Sequence, residues 1–261
     1  MSDEQTRVTF LGTASVVPEG GHDTASFLID GRQLVDTGWY AAIKMKLYDH
    51  DPTNLDHVIL THCHHDHYMG LPQILYLRAA HRRDRPPLKI IGPAEDLKRV
   101  VDLATRFLQP DRFPGLGLGI ELCPLMPGDT FETSDFRLDA CRALHPVPAL
   151  CYRYRDHRTG AELAFTGDTA PYPPIVEHVR GVSLLIHEAS YCAWPSRPND
   201  NRSLHSGAPD AARVAAEAGI GRLALIHGAL AKQAEAVAAA QAIFPDTFWP
   251  EDGEVVSVGA A

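Results

Sequence analysis

Thr61-His62-Cys63-His64-His65-Asp66-His67 is the stretch that decides how the rest of this chain is read. Its last six residues hold four histidines and one aspartate, directly after Val58-Ile59-Leu60, an apolar run suited to a buried strand. His62, His64, Asp66 and His67 stand at i, i+2, i+4 and i+5. That spacing fits no single helix face and breaks strand alternation at its end. The side chains therefore belong on the turn that leaves a strand, where four of them can aim at two adjacent points. Imidazole and carboxylate donors without a thiolate pattern suit Zn2+, with Mn2+ and Fe2+ as the other candidates. A polar surface turn is the plain alternative, but so many donors at this spacing seldom gather on a loop by accident.

T-H-x-H-x-D-H resembles the signature of the metallo-β-lactamase-fold hydrolases. The resemblance implies an α/β architecture, a four-layer αββα sandwich, formed here by one domain over residues 1–261. That superfamily hosts many reactions, so the fold alone does not settle the activity.

Bulk properties narrow the classes. At 261 residues, 45% of them hydrophobic, the chain has enough apolar content for a sizeable core. Its first seven residues carry no apolar signal-like core, and no uninterrupted apolar run reaches 18 residues. The expectation is a soluble protein acting in the cytoplasm, with no membrane partner. Cys63, Cys123, Cys141, Cys151 and Cys192 are odd in number, scattered and free of C-x-x-C, as reduced cysteines would be. The net charge of −9 disfavours long-range attraction to nucleic acid and leaves only a local basic patch open.

Along the chain, residues 7–11 read as an opening strand, 25–29 and Gln33–Val35 as a hairpin hinged at Asp30-Gly31, and 40–48 as a helix. Residues 70–83 and 95–108 read as helices, 88–91 as a strand, and 110–119 as a loop. The second half opens with strands at Ile120–Leu125, 136–143, 149–154 and 162–166. Strand and helix then alternate: strand 183–187, helix 209–218, strand 222–227 and helix 232–243. Each half thus runs from several strands into strand–helix units, which predicts two halves packed face to face with helices outside.

A two-metal centre needs further donors. His145 follows strand 136–143, Asp168 ends Phe165-Thr166-Gly167-Asp168, and His227 ends Leu223-Ala224-Leu225-Ile226-His227. One strand-end His or Asp is most often a cap or hydrogen-bonding group. Three of them, beside the His cluster, are what convergence on one rim would produce. By the resemblance, His62, His64 and His145 hold one ion, Asp66, His67 and His227 the other, and Asp168 bridges. Asp36 resembles the family's supporting carboxylate behind the ligands, or equally a turn-capping aspartate.

Ile186-His187-Glu188-Ala189-Ser190 resembles the HEAT element of the ribonuclease Z group, and Leu204-His205-Ser206 its H-S-T element. The turn at Gly12-Thr13 and the segment Gly70-Leu71-Pro72 are similar to that group as well. A buried carboxylate fixing a loop histidine, Glu188 with His205, makes a general acid for an oxygen leaving group, with Asp66 orienting the attacking water. Cys63 reads as a small loop residue, His65 as a solvent or supporting residue. His22, His50, His57, His81, His157 and His178 read as surface histidines, and Arg82-Arg83-Asp84-Arg85 as a solvated loop. Tyr191, Trp194 and Arg197 are candidates for a substrate entrance.

The tRNA-processing members carry a long protruding arm between the third histidine ligand and the bridging aspartate. Here 22 residues separate His145 from Asp168, with a turn at 156–160. The expected activity is a dinuclear metal-dependent phosphodiesterase, acting on a small-molecule or nucleic-acid-end phosphodiester, with a homodimer left open. The alternatives are an ester, lactone or amide hydrolase using the same metal pair, a diiron redox protein, which the intact His64 disfavours, and a pseudoenzyme.

Overall fold

The computed structural model describes residues 5–81, 85–113, 117–197 and 201–260. In chain order the strands are β1 (Thr6–Gly12), β2 (Ser26–Ile29), β3 (Gln33–Val35), β4 (His57–Ile59), β5 (Leu88–Pro93), β6 (Ile120–Leu125) and β7 (Thr130–Glu132). They continue as β8 (Phe136–Arg142), β9 (Leu150–Asp156), β10 (Glu162–Phe165), β11 (Leu184–Glu188), β12 (Arg222–Ile226), β13 (Thr247–Phe248) and β14 (Val255–Val258). The helices are α1 (Ala41–Leu47), α2 (His65–Tyr68), α3 (Leu71–His81), α4 (Leu97–Phe107), α5 (Pro173–His178), α6 (Ala208–Ala218) and α7 (Gln233–Gln241).

Two sheets of the same plan result. The first runs β14-β1-β2-β3-β4-β5-β6, antiparallel as far as β3 and parallel beyond it. The second runs β7-β8-β9-β10-β11-β12-β13, antiparallel as far as β10 and parallel beyond it. The strand-then-strand–helix rhythm of each half is the sequence trace of this duplication.

Side-chain alternation sorts the layers. On β12, Ala224 and Ile226 face the other sheet while Leu223 and Leu225 face helices; on β4, Ile59 faces inward and Val58 outward. Phe10, Phe27, Tyr152 and Phe165 fill the space between the sheets, with the Phe27 and Phe165 rings edge to face at 5.4 Å. The helices α1, α3 and α4 cover the outside of the first sheet, and α5, α6 and α7 the outside of the second. This is the expected αββα sandwich. Each large side chain so buried stabilises it by about 1.5–3 kcal/mol.

Several expectations need correction. The strand expected at 88–91 runs two residues further: Gly92 and Pro93, the last residues of β5, pair with Pro124 and Leu125 of β6. The short elements β7, β13 and α5 were not expected, nor was β14, which returns the chain end to pair with β1. His57 is not a surface residue: it is 9% exposed, with its ring edge-on to Phe136 at 5.0 Å and Phe131 at 5.8 Å. Arg82, Arg83 and Asp84 lie outside the described residues. Arg85 does not hang free; its guanidinium donates to the Thr53 carbonyl at 3.0 Å. Among the described residues, no helix is long and apolar enough to cross a membrane.

Candidate metal centre

The residues singled out by sequence come from six different strand exits and meet at one rim. β3 delivers Asp36, β4 leads to His62 and His64, β8 leads to His145, and β10 to Asp168; β11 ends in Glu188 and β12 leads to His227. The His-rich turn is partly helical, because His64 caps the single helical turn α2, which presents Asp66 and His67. Asp36 (φ 51°), Leu204 (φ 55°) and His227 (φ 59°) all adopt left-handed backbone here. Such conformations are sparsely populated outside glycine and persist only where the surroundings over-determine them. Gly167, also at positive φ, lets β10 reach the β4 exit: a Cβ there would stand 2.5 Å from that of Thr61.

The donor atoms form two groups. His64 Nδ1 lies 3.2 Å from His62 Nε2 and 3.0 Å from His145 Nε2. Asp66 Oδ2 lies 3.3 Å from His67 Nε2 and 3.2 Å from His227 Nε2. Asp168 Oδ2 belongs to both sets, at 3.7 Å from His62 Nε2, 3.6 Å from His67 Nε2 and 3.4 Å from His227 Nε2. Ligands at 2.0–2.1 Å from a tetrahedral ion stand roughly 3.3 Å from one another, so the spacing suits an ion in each group.

Hydrogen bonding behind the rings gives an independent test of that fit. His67 Nδ1 donates to Asp36 Oδ2 at 2.8 Å, and His145 Nδ1 donates to the Leu204 carbonyl at 3.3 Å. The Thr61 hydroxyl donates to Asp36 Oδ2, which leaves it to accept from His62 Nδ1 at 3.2 Å. The Ser190 hydroxyl donates to the His227 carbonyl and accepts from His227 Nδ1 at 2.9 Å. In the neutral form that a metal ligand takes, each of these four rings would turn an unprotonated Nε2 inward. Against burial, and without a cation's charge, Asp168 and Asp36 push His67 up, and Asp168 and Asp66 push His227 up, towards the charged form. In the first group, two such lone pairs face His64 Nδ1, whose single proton could satisfy only one of them. In the second, His67 Nε2 is buried without a hydrogen-bond partner, as is Asp168 Oδ1. A cation resolves each of these mismatches, and the donor set is one that divalent ions accept.

The electrostatics are those of a site built for positive charge. Burial, and then the neighbouring His67, hold His62 well below the usual imidazole range. Burial pushes His145 down to about 4. Burial would neutralise Asp168, yet His227, His67 and His62 keep its carboxyl well below the usual range. Asp66 is likewise held low against burial by His227 and His67. Burial also pushes the Cys63 thiol up to about 12, and Cys63 belongs to none of the donor groups.

Beside the donors, His205 Nδ1 lies 2.9 Å from Glu188 Oε1. Burial works against its charged form, but the Glu188 hydrogen bond and charge, with Asp168 behind, push it up to about 9. Tyr191 stands edge-on to His205 at 6.2 Å, while Trp194 is exposed at the surface of the same loop. The H-S-T resemblance breaks at Gly207, for a steric reason: a Cβ there would meet the Trp194 carbonyl at 1.8 Å.

Residues 32–228 match the model of the beta-lactamase superfamily domain, a span that contains all seven metal-ligand candidates. The chain belongs to the beta-lactamase superfamily. This superfamily member is 27% identical to the ribonuclease Z of Methanothermobacter thermautotrophicus, across 97% of each chain. That alignment runs over 304 positions, more than the 261 residues present here, so the relative carries insertions that this chain lacks. Among solved structures, the chain superposes on the metallo-beta-lactamase fold protein YhfI from Bacillus subtilis with a TM-score of 0.84 and 21% identity. The match covers 97% of this chain and 100% of that one. The short form of human tRNase Z gives 0.78 and 21%, covering 97% and 99%. At such identities the likeness to the solved structures speaks for the fold. The superfamily member is a hydrolase of the metallo-β-lactamase fold, with a His/Asp cluster suited to divalent metal.

Sequence reading missed the supporting groups Thr61, Ser190 and the Leu204 carbonyl. Thr61 and Ser190 sit beside flagged residues, so adjacency was their one available signal. A backbone carbonyl leaves none.

Proposed function

We propose that this superfamily member is a dinuclear metal-dependent phosphodiesterase, with zinc as the native ion, acting on small phosphodiesters or nucleic-acid ends. The observation that carries the reading is Asp168 Oδ2 standing within reach of both donor groups, with the Glu188–His205 pair alongside. In this reading His62, His64, His145 and Asp168 would hold one ion, and Asp66, His67, His227 and Asp168 the other. A bound pair would supply Lewis acidity at the phosphoryl oxygens and a nucleophile at neutral pH.

The protein's own groups do the rest. Asp66 stays ionised and can accept a hydrogen bond from the attacking water. Asp36 and Ser190 hold His67 and His227 in the ring orientation that frees Nε2. His205, with Nδ1–H committed to Glu188, has its charged form favoured by that carboxylate and can hold an Nε2 proton for the departing alkoxide. A lactamase or glyoxalase has no need of that acid pair here, which favours phosphodiester over carbon-centred hydrolysis. The five free cysteines support a reducing compartment such as the cytoplasm.

The test is a panel of chromogenic phosphodiester, lactone and β-lactam substrates, assayed on one zinc-loaded preparation. Turnover of the phosphodiesters is expected to dominate. Inertness on every phosphodiester, with turnover of a lactone or thioester, would transfer the site to carbon-centred chemistry.

A further inference from the structure

His205 has to present its ring to a leaving group from a loop, so something must fix its backbone. Downstream, the Ser206 hydroxyl donates to the Thr169 carbonyl at 2.7 Å, and the Tyr191 N–H to the Ser206 carbonyl at 3.1 Å. Upstream, one side chain does this work. Asn201 Oδ1 accepts the His205 backbone N–H at 3.0 Å, while Asn201 Nδ2 donates to the His205 carbonyl at 2.8 Å. Both polar backbone groups of one residue are thus gripped by a single carboxamide. The Tyr191 hydroxyl donates to the same Oδ1 at 2.7 Å, and it also lies 2.8 Å from Ser203 Oγ.

The Leu204–His205 peptide shows why this grip reaches the chemistry. Its N–H goes to Asn201, and its oxygen accepts from His145 Nδ1 at 3.3 Å. Leu204 itself is left-handed, at φ 55°, a conformation that must be held from outside. A plain turn-closing asparagine would bond forward to one backbone N–H. It would have no cause to take the carbonyl of the same residue, or to fix a peptide whose other face orients a ligand candidate.

We infer that Asn201 is a positioning residue for the general acid. It holds the His205 backbone so that the imidazole meets the leaving-group oxygen, with Tyr191 as its buttress. The inference rests on the reading of His205 as the acid.

The experiment measures kcat and KM on phenyl phosphodiesters whose leaving groups run from nitrophenolate to unsubstituted phenolate. Wild type, Asn201→Ala, Tyr191→Phe and His205→Ala are compared at saturating zinc, with metal content determined for each. For Asn201→Ala, kcat on the most basic leaving group should fall roughly 10–10²-fold, the scale of an ångström-sized misplacement. The loss should shrink towards nitrophenolate, with metal content unchanged. Tyr191→Phe should show the same trend at smaller amplitude, and it carries the test alone if Asn201→Ala fails to fold. A loss uniform across the series, or one that follows metal content, would overturn the inference. If His205→Ala shows the leaving-group trend and Asn201→Ala does not, this inference alone falls. If neither shows it, the general-acid reading falls too.

Discussion

Glu188 Oε1 accepts from His205 Nδ1 at 2.9 Å and from the Thr169 backbone N–H at 2.8 Å, while its Oε2 takes the Ser190 N–H at 3.1 Å. A carboxylate only 1% exposed, and held at both oxygens, cannot swing away from the imidazole it serves. It sets which nitrogen of His205 is committed and stabilises the charged ring. His205→Ala should therefore retain metal and lose about 10²–10⁴-fold in rate where the leaving group needs a proton. Nitrophenolate esters should suffer far less. Loss of metal in this variant, measured by elemental analysis, would reassign His205 to the ligand set.

Asp168 Oδ2 is the atom the two donor groups share, so its removal should affect both ions. Wild-type protein purified without chelator should carry about two ions per chain, and Asp168→Ala should lose bound metal and activity together. Elemental analysis with parallel rate measurements decides this. Wild-type content below one ion, not restored by zinc, manganese or iron, would remove the basis of the dinuclear reading.

Asp36 belongs to neither donor group, yet it receives the Thr61 N–H, the Thr61 hydroxyl and the His67 ring. Asp36→Ala should weaken metal binding about 10–100-fold through the loosened His67. It should also lower stability by about 1–3 kcal/mol, because the Thr61 N–H is left buried and unpaired. Chelator competition and denaturant titration read the two effects separately. Unchanged metal affinity would reduce Asp36 to a turn cap.

Much of this was legible in the chain because burial on both faces leaves a pattern. Leu223-Ala224-Leu225-Ile226 announces a strand, and the ligand candidate that follows it marks the rim. What escaped had weaker local signals. β13 is two residues long, and α5 is a six-residue helix that opens on Pro173-Pro174. Along Val255-Val256-Ser257-Val258 it is burial and not residue type that alternates, and only pairing with β1 makes it a strand. His57 was misread because nothing in its own neighbourhood reveals that Phe131 and Phe136, 74 and 79 residues on, will enclose it. The site's donors were visible as residue types. Of their supports, Ser190 shows in the sequence only as a neighbour of flagged residues, and the Leu204 carbonyl is defined by three-dimensional contact alone.

That buried His57 has a consequence for acid stability. Burial lowers its pKa to about 4 from an ordinary 6.5, so between those values the unfolded chain binds a proton that the folded chain does not. Stability therefore falls as pH drops from 6.5 towards 4, by about 1.4 kcal/mol per unit of difference, or about 2–4 kcal/mol in all. His57→Phe should flatten this part of the stability–pH curve relative to wild type in denaturant titrations at pH 4.5 and 7. Parallel curves for the two proteins would show that His57 titrates alike folded and unfolded.

Substrate size is the last expectation, and it rests on a hairpin. β9 and β10 are joined by a tight turn in which the Gly160 N–H donates to the Asp156 carbonyl at 2.9 Å, and Asp156 Oδ1 takes the Arg158 N–H at 2.8 Å. No arm leaves the body at this point, the place where tRNA-processing members of the ribonuclease Z group extend theirs. A net charge of −9 offers no bulk attraction to replace it, since phosphate contacts come chiefly from Lys and Arg. Arg85 is engaged with the Thr53 carbonyl and sits 3.9 Å from Asp56, which leaves it poorly placed to grip a distant tRNA elbow. Bis-nitrophenyl phosphate should therefore be hydrolysed readily. Precursor tRNA should bind weakly, with steep salt dependence, and turn over poorly. Both substrates belong in one assay on one zinc-loaded preparation, at several salt concentrations. Efficient, site-specific removal of the tRNA 3′ trailer would show that the short hairpin costs the enzyme nothing, and that its grip on RNA comes from a surface other than the arm.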